Sequence, residues 1–206
     1  MIRFELAFPT TDKIDKLMID DETLSYITIP FDAQIILDII KRYTNNIDGK
    51  ITIVDGTGGA GGNTICFGNN FDRVISIEID PKRTLYLINN VSVYNLKNVQ
   101  IINGDCVDII PHLYNIDIVF LDPPWGGHEY KHKKKLRISL SNIEIEQVII
   151  NFFDVTKMLC VPKVIVLKMP KNYDVKYFNE TVNKHNNFHI YFHRLKRMII
   201  IVVKLI

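Results

Sequence analysis

Four consecutive residues, Asp122-Pro123-Pro124-Trp125, combine the groups needed to hold a planar amine. The run before them, Ile118-Val119-Phe120-Leu121, is short, apolar and rich in β-branched and aromatic residues, as a buried strand requires. Two prolines cannot donate to a sheet ladder, and Gly126-Gly127 permit positive φ, so the strand stops there. An acid, a stiff backbone and the chain's single tryptophan are thereby presented at the carboxyl edge, where open α/β sheets bind ligands. A Pro-Pro step leaves carbonyl oxygens without competing N–H donors, in a nearly fixed direction. The carboxylate and such a carbonyl can accept both protons of an exocyclic amine while the indole covers the base. The alternative is a strand ending in a turn with an exposed Trp. The co-occurrence of acid, Pro-Pro and Trp disfavours it.

Other strand ends carry acids as well. Residues 50–55 alternate into a strand ending at Asp55, followed by Gly56-Thr57-Gly58-Gly59-Ala60-Gly61-Gly62-Asn63-Thr64 and a short helix of Ile65, Cys66 and Phe67. Strand, glycine-rich turn and helix is the layout that brings backbone close to a ligand. The spacing departs from the dinucleotide fingerprint, and an acid at the strand end favours a cationic ligand group over a pyrophosphate. A second strand, Arg73–Ile79, carries Glu78 at its end, 23 residues after Asp55, where this class of fold places a ribose-hydroxyl acceptor. Asp80-Pro81 reads as N-cap and N1 of a helix over about 81–94, which leaves Glu78 for the ligand. That helix is expected to bury Leu85, Ile88 and Val91, with Asn89-Asn90 midway and open to a solvated role. A third strand, Val99–Asn103, ends in Gly104-Asp105. Asp105 can accept from an adenine amino group or cap a short helix at about 106–110. The ligand role is placed first because Asp105 is the third acid in succession at a strand's carboxyl end.

The elements that must position these groups follow the same alternation. A helix is predicted at about 30–43, opened by Pro30, with Ile35, Ile36, Ile39, Ile40 and Tyr43 at helical spacing. Residues 1–28 before it fit either a small packed lid or a simple tail. After the tryptophan comes the most basic run of the chain, from His128 to Arg137, placed to meet phosphates if it is more than a solvated face. A helix at about 142–157, a strand at 163–169, Pro170-Lys171-Asn172, a helix at 174–185 and strands at 188–194 and 197–205 complete the pattern. Strands alternating with helices, then two adjacent strands joined by a short turn, imply an α/β fold. Its sheet is mostly parallel, with an antiparallel carboxy-terminal hairpin.

At 206 residues, 47% hydrophobic and 23% charged, the chain can bury one well-formed core. A formal charge of +2 makes any nucleic-acid contact a matter of local clusters. Three scattered cysteines without a Cys-x-x-Cys pair read as reduced thiols. The longest apolar run near the C-terminus, Met198–Val203, is too short to span a bilayer, and no signal peptide precedes the first strand-like segment. The expectation is an intracellular protein, nuclear or cytoplasmic, a viral protein in its host cell included.

Asp122-Pro123-Pro124-Trp125 resembles the (Asp/Asn/Ser)-Pro-Pro-(aromatic) motif of amino-methyltransferases, which methylate exocyclic amines of bases with S-adenosyl-L-methionine. The Trp form followed by Gly-Gly is similar to the trimethylguanosine synthase family, which methylates N2 of the 7-methylguanosine RNA cap. The likeness extends to Val54-Asp55, Gly58, Gly61-Gly62-Asn63-Thr64-Ile65, Glu78-Ile79-Asp80-Pro81, Asn89-Asn90, Gly104-Asp105 and Met169-Pro170-Lys171-Asn172. It implies a Rossmann-like class I methyltransferase over about 49–206, with a seven-stranded sheet and helices on both faces, and a helical lid over 1–48. It also implies cofactor contacts from Tyr26, Asp55, Gly56, Thr57, Gly58, Asn63, Thr64, Glu78, Ile79, Asp105, Cys106 and Asp122. Asn90 and Trp125 would meet the cap base and Lys171 a cap phosphate, with Lys16 counted among the substrate-binding residues. Asp122, Pro123, Pro124 and Trp125 are the catalytic group, and no metal is expected. Glu78 stands where the family has Asp, Asp122 where some members have Ser, and Lys171 where some have Arg, giving a point charge instead of a fork. The substrate implied is 7-methylguanosine-capped RNA, or 7-methyl-GTP or -GDP, with no membrane partner. Methylation of adenine N6 or internal guanine N2 in DNA or RNA uses the same amine chemistry and is the runner-up, although 206 residues leave little room for a target-recognition region. A silent cap- or RNA-binding module is the third reading.

Overall fold

Caps and prolines in the sequence set the starts of the amino-terminal helices in the computed structural model, which describes residues 4–185 and 188–205 apart from the side chains of His128 and His185. By backbone proximity the chain divides into two compact units, Met1–Cys106 and Val107–Ile206.

In the first unit, 3₁₀ turns at Phe4–Leu6 and Ile14–Lys16 precede helices α1 (Asp21–Tyr26) and α2 (Pro30–Thr44). Asp20 caps α1 by accepting from the Thr23 N–H at 2.9 Å, and Pro30 opens α2. Strand β1 (Thr52–Asp55), helix α3 (Gly62–Gly68), strand β2 (Arg73–Glu78), helix α4 (Pro81–Val93) and strand β3 (Val99–Asn103) follow, with α5 (Cys106–Ile109) opening at the unit's last residue. The strands pair in parallel in the order β3-β2-β1, with Asp55 opposite Ser76 and Glu78 opposite Asn103. The first two strand-end acids therefore sit at the same edge.

Helix α4 corrects one expectation. Asp80 caps it through the Arg83 N–H as predicted, but its buried face is Thr84, Leu87, Asn90 and Val91. Leu85 and Ile88 are 63% and 48% exposed. Positions 84, 87 and 91 fit the i, i+3, i+7 stripe of an α-helix, whereas 85, 88 and 91 drift around it.

The residues before α2 are a packed segment rather than a tail. Ala7, Phe8, Leu17, Leu24 and Ile27 form a buried cluster with Ala60 and Ile65 of the glycine loop and α3. Lys82 of α4 pairs with Asp20 at 2.8 Å, and this ammonium together with the Thr23 cap holds the Asp20 carboxyl well below the usual carboxylate range. The Tyr94 hydroxyl donates to the Pro9 carbonyl at 2.5 Å.

In the second unit, strand β4 (Ile118–Leu121) leads through a 3₁₀ turn (Gly127–His132) to a small hairpin of β5 (Ser139–Leu140) and β6 (Ile143–Glu144). Helix α6 (Ile145–Phe152), strand β7 (Val164–Pro170), helix α7 (Val175–Val182), strand β8 (Phe188–Arg194) and strand β9 (Met198–Leu205) complete it. The hairpin was not foreseen, and α6 is much shorter than the predicted 142–157. Ser141 and Asn142 take positive φ (53° and 63°) in the hairpin turn, so the helix starts only after them. Likewise α7 ends at Val182, with residues 183–185 in a 3₁₀ turn.

Strand order in this unit is β4-β7-β9-β8, with β4 and β7 parallel and β9 antiparallel to both its neighbours. The last strand in sequence is thus an inner one. Its buried residues run unbroken from Met198 to Val203, whereas β8 shows the partial exposure of an edge. The seven main strands, three in the first unit and four in the second, are mostly parallel with an antiparallel carboxy-terminal pair, as the sequence predicts.

Gly62 marks the closest approach of the amino-terminal segment to the glycine loop. A Cβ there would lie 2.5 Å from the Thr28 carbonyl oxygen and 2.9 Å from the Ile27 side chain. Gly62→Ala is expected to lower unfolding free energy by about 1–3 kcal/mol through this overlap. Chemical denaturation of wild type and variant checks it, and an unchanged midpoint would show that the segment is not seated there.

Candidate active site

The glycine loop is held by the acid that precedes it. Asp55 is fully buried; its Oδ2 accepts from the Thr64 hydroxyl at 2.6 Å and its Oδ1 from the Thr57 N–H at 3.3 Å. The Ser76 hydroxyl completes this network, 2.7 Å from Thr64 Oγ1. Gly58 donates its N–H to the Ile77 carbonyl, and a Cβ there would fall 2.4 Å from Ser76 Oγ, so only glycine lets the loop lie against β2. Gly56 is buried beside it. The geometry gives Asp55 a loop-holding role.

Two features of this unit fit a bound cationic nucleoside. The Asn63 amide donates to Thr28 Oγ1 at 3.0 Å, but its Oδ1 is buried without a partner among the described residues. A buried acceptor left unpaired costs about 1–3 kcal/mol, which an ammonium donor would relieve. The Glu78 carboxylate accepts from Gly59 N–H (2.8 Å), Asp80 N–H (2.9 Å) and Arg83 Nε–H (3.1 Å). Those three bonds leave about one of its four lone-pair positions for a hydroxyl. Arg83 also donates from Nη1 to the Tyr26 hydroxyl at 3.3 Å, tying the end of α1 to the Glu78 carboxylate. Ile79 and Tyr26 are exposed, and Asp105 is half-buried. Burial, reinforced by Asp105, pushes the Cys106 thiol up to about 12, so it stays protonated near neutral pH.

Asn90 and Lys16, assigned by resemblance to the substrate, are placed differently from each other. Asn90 is fully buried, neither solvated nor open to a ligand. Its Nδ2 donates to the Met18 and Ala60 carbonyls (2.7 and 2.9 Å), and its Oδ1 accepts from the Met18 N–H (2.7 Å) and Asn89 Nδ2 (3.1 Å). All four of its hydrogen-bonding positions are filled. Asn89 donates also to the Lys16 carbonyl at 2.7 Å, while Lys16 itself is exposed. The Asn89-Asn90 pair thus latches residues 16–18 and the glycine loop onto α4.

In the second unit, the end of β4 presents Asp122 and Trp125 as predicted and adds a residue that sequence reasoning missed. Lys168, inside the apolar strand β7, is 5% exposed and places its Nζ 2.6 Å from Asp122 Oδ2. The same ammonium lies over the Trp125 ring, 5.5 Å from its centroid, and the indole N–H donates to the Lys168 carbonyl at 3.3 Å. Tyr130 packs edge-on against the indole with centroids 5.2 Å apart. Pro123 is buried and Pro124 exposed. The signal for Lys168 was present in the sequence as one lysine in Val164–Met169, a run otherwise fit for burial on both faces.

Lys171 is exposed, and its neighbour Asn172 donates to the Tyr130 and Lys133 carbonyls, both at 2.7 Å. The basic run is therefore pinned by its backbone, while Lys131, Lys133, Lys134 and Lys135 remain exposed. Arg137 lies 3.4 Å from the Tyr177 ring centroid and pairs with Glu144. No group of three or more His, Cys, Asp or Glu that could hold a metal occurs among the described residues, and none of their helices is long and apolar enough to cross a membrane.

Comparison with known proteins adds four findings. Residues 50–200 match the RNA cap guanine-N2 methyltransferase family. The chain is 34% identical to the uncharacterized protein L320 of Acanthamoeba polyphaga mimivirus, over 97% of this chain and 84% of that one. It is 32% identical to the trimethylguanosine synthase of Schizosaccharomyces pombe, over 67% of this chain and 58% of that protein. Among solved structures, the METTL16 methyltransferase domain superposes with a TM-score of 0.65 at 12% identity, covering 92% of this chain and 72% of that one. This last likeness speaks for the fold.

The placement of Asn90 yields a test. Asn90→Ala leaves the Met18 N–H and the Met18 and Ala60 carbonyls without their partner, a loss of roughly 2–4 kcal/mol. Lower thermal stability and faster proteolysis near residues 16–18 are expected. A variant that melts normally but loses affinity for a 7-methylated nucleotide would instead place Asn90 against the base.

Proposed function

The chain belongs to the RNA cap guanine-N2 methyltransferase family, and from that premise we propose that it methylates the exocyclic N2 amine of 7-methylguanosine in an RNA cap. S-adenosyl-L-methionine is the methyl donor of this family and fold. The observation that carries the reading is the end of β4, where the Asp122 carboxylate and the Trp125 indole are both fixed through Lys168. When bound, the cofactor supplies a methyl group already activated by its sulfonium.

The residues of the first unit bind and orient. Asn63 Oδ1 would accept from the cofactor's ammonium, Glu78 would offer its remaining lone pair to a ribose hydroxyl, Asp105 would receive the adenine amino group, and Ile79 and Tyr26 would cover the nucleoside. Asp55 acts through the loop it holds.

The residues of the second unit receive the base. Trp125 stacks on it, and Asp122 with the Pro123 carbonyl accepts the two N2 hydrogens. The amine's lone pair, otherwise delocalised into the ring, is then concentrated on nitrogen. No strong base is required, because the amine becomes acidic only after it has been methylated and loses its proton then. Alignment of amine and methyl group contributes on the order of 7–11 kcal/mol at best. A 7-methylated guanine is cationic, and an indole face prefers a cation by roughly 0.5–2 kcal/mol. Lys171 and the exposed lysines of the basic run serve the cap phosphates and the RNA beyond them.

Incubation with labelled S-adenosyl-L-methionine and either 7-methyl-GTP or GTP tests this directly. Labelling is expected for 7-methyl-GTP in clear preference, and equal labelling of both, or of neither, overturns the reading. Trp125→Ala should lose methyl transfer while melting normally and binding cofactor as wild type does. A Trp125→Ala protein that melts normally and still labels 7-methyl-GTP at the wild-type rate would contradict the stacking role.

A further inference from the structure

We infer that Lys168 is a positioning and specificity-determining residue, which balances the charge of the amine-binding carboxylate and thereby sets how strongly the site prefers a cationic, 7-methylated base. The inference rests on the reading of Asp122 and Trp125 as the amine and base contacts. It assigns the size of the base preference to a residue outside the Asp-Pro-Pro-Trp sequence.

Three contacts converge on this one residue. Its Nζ is 2.6 Å from Asp122 Oδ2, it lies over the Trp125 ring at 5.5 Å, and its own carbonyl receives the indole N–H at 3.3 Å. The pair is largely withdrawn from water, with side-chain exposures of 7% for Lys168 and 16% for Asp122. At such burial the charges act at low effective dielectric, so removing one of them is felt strongly at the neighbouring base.

The consequence follows from sign. An acid beside an indole, taken alone, would attract the positive charge of a 7-methylated guanine and add to the cation–π preference. An ammonium on the acid cancels most of that attraction, and an ammonium over the ring already occupies part of the indole's negative face. Lys168 also directs the carboxylate. By holding Oδ2 against the ammonium, the pair orients the acceptor while reducing its pull on a cation.

The chain's single tryptophan makes the test direct, because quenching of its fluorescence reports on base stacking at Trp125. The ratio of dissociation constants for GDP and 7-methyl-GDP is measured for wild type, Lys168→Met and Asp122→Asn, with thermal melting of each. Lys168→Met takes the ammonium away from the carboxylate and is expected to raise the preference for 7-methyl-GDP about 3- to 10-fold. Asp122→Asn removes the negative charge while keeping the ammonium and should lower that preference below wild type, which keeps the test decisive if Lys168→Met fails to fold. A purely structural lysine would weaken both nucleotides alike and leave the ratio unmoved in the folded variants, and that result overturns the inference. If wild type methylates 7-methyl-GTP but the ratio stays constant across variants, the inference falls alone. If wild type shows no quenching by either nucleotide, the base-stacking reading falls with it.

Discussion

A lysine ammonium buried in a β-sheet needs a counter-charge, and in this protein the counter-charge is the acid of the Asp-Pro-Pro-Trp motif. Lys168 stands in a strand whose seven residues are all buried, and Asp122 follows the last residue of β4, which pairs in parallel with that strand. Stranding either charge costs about 3–5 kcal/mol, so the carboxylate cannot swing away and the ammonium cannot retreat. The Pro-Pro step then fixes the chain direction, and the indole N–H closes the arrangement on the Lys168 carbonyl. Stiff backbone alone would have placed Trp125 roughly. The ion pair and the indole bond make its position specific.

The first unit obeys a similar constraint, with its buried acids held mainly by neutral hydrogen-bond donors. The loop after β1 is rich in glycine and has little side-chain packing of its own, so buried polar residues hold it. Asp55 and Thr64 fasten it from β1 and α3, Glu78 takes the Gly59 N–H from β2, and Asn90 takes the Ala60 carbonyl from α4. The same asparagine grips Met18, so the loop and the amino-terminal segment share one clamp. Arg83 extends this logic to the surface, joining Glu78 to the exposed Tyr26. A bound nucleoside that engaged Glu78 would compete or cooperate with that link.

What the sequence revealed and what it concealed divide by range. The strand end at Asp122-Pro123-Pro124-Trp125 and the Asp80-Pro81 helix start depend on residues a few positions apart, and they were readable. The order of elements was also readable, because glycine, proline and apolar runs punctuate it. Lys168 was not foreseen as a site residue because its partner lies 46 positions away and only the fold brings them together. Asn90 was read as solvated or base-binding because nothing local shows that α4 turns it inward toward Met18 and Ala60. The stripe of α4 was misphased for the same reason, since Leu85 and Ile88 look like core residues until Thr84 and Leu87 are seen to occupy that face. Helix α6 was started too early because positive φ at Ser141 and Asn142 is a backbone choice that the hydrophobic pattern does not encode.

The central claim is that the acid, the proline carbonyl and the indole receive the Watson–Crick edge of a cap guanine. A crystal structure with S-adenosylhomocysteine and a 7-methylguanosine dinucleotide cap analogue measures this directly. The account predicts the base stacked on Trp125, its N2 amine within hydrogen-bond distance of Asp122 and the Pro123 carbonyl, and the Lys168–Asp122 pair intact. A base bound away from Trp125, or one presenting an edge other than its N2 amine to Asp122, would contradict it.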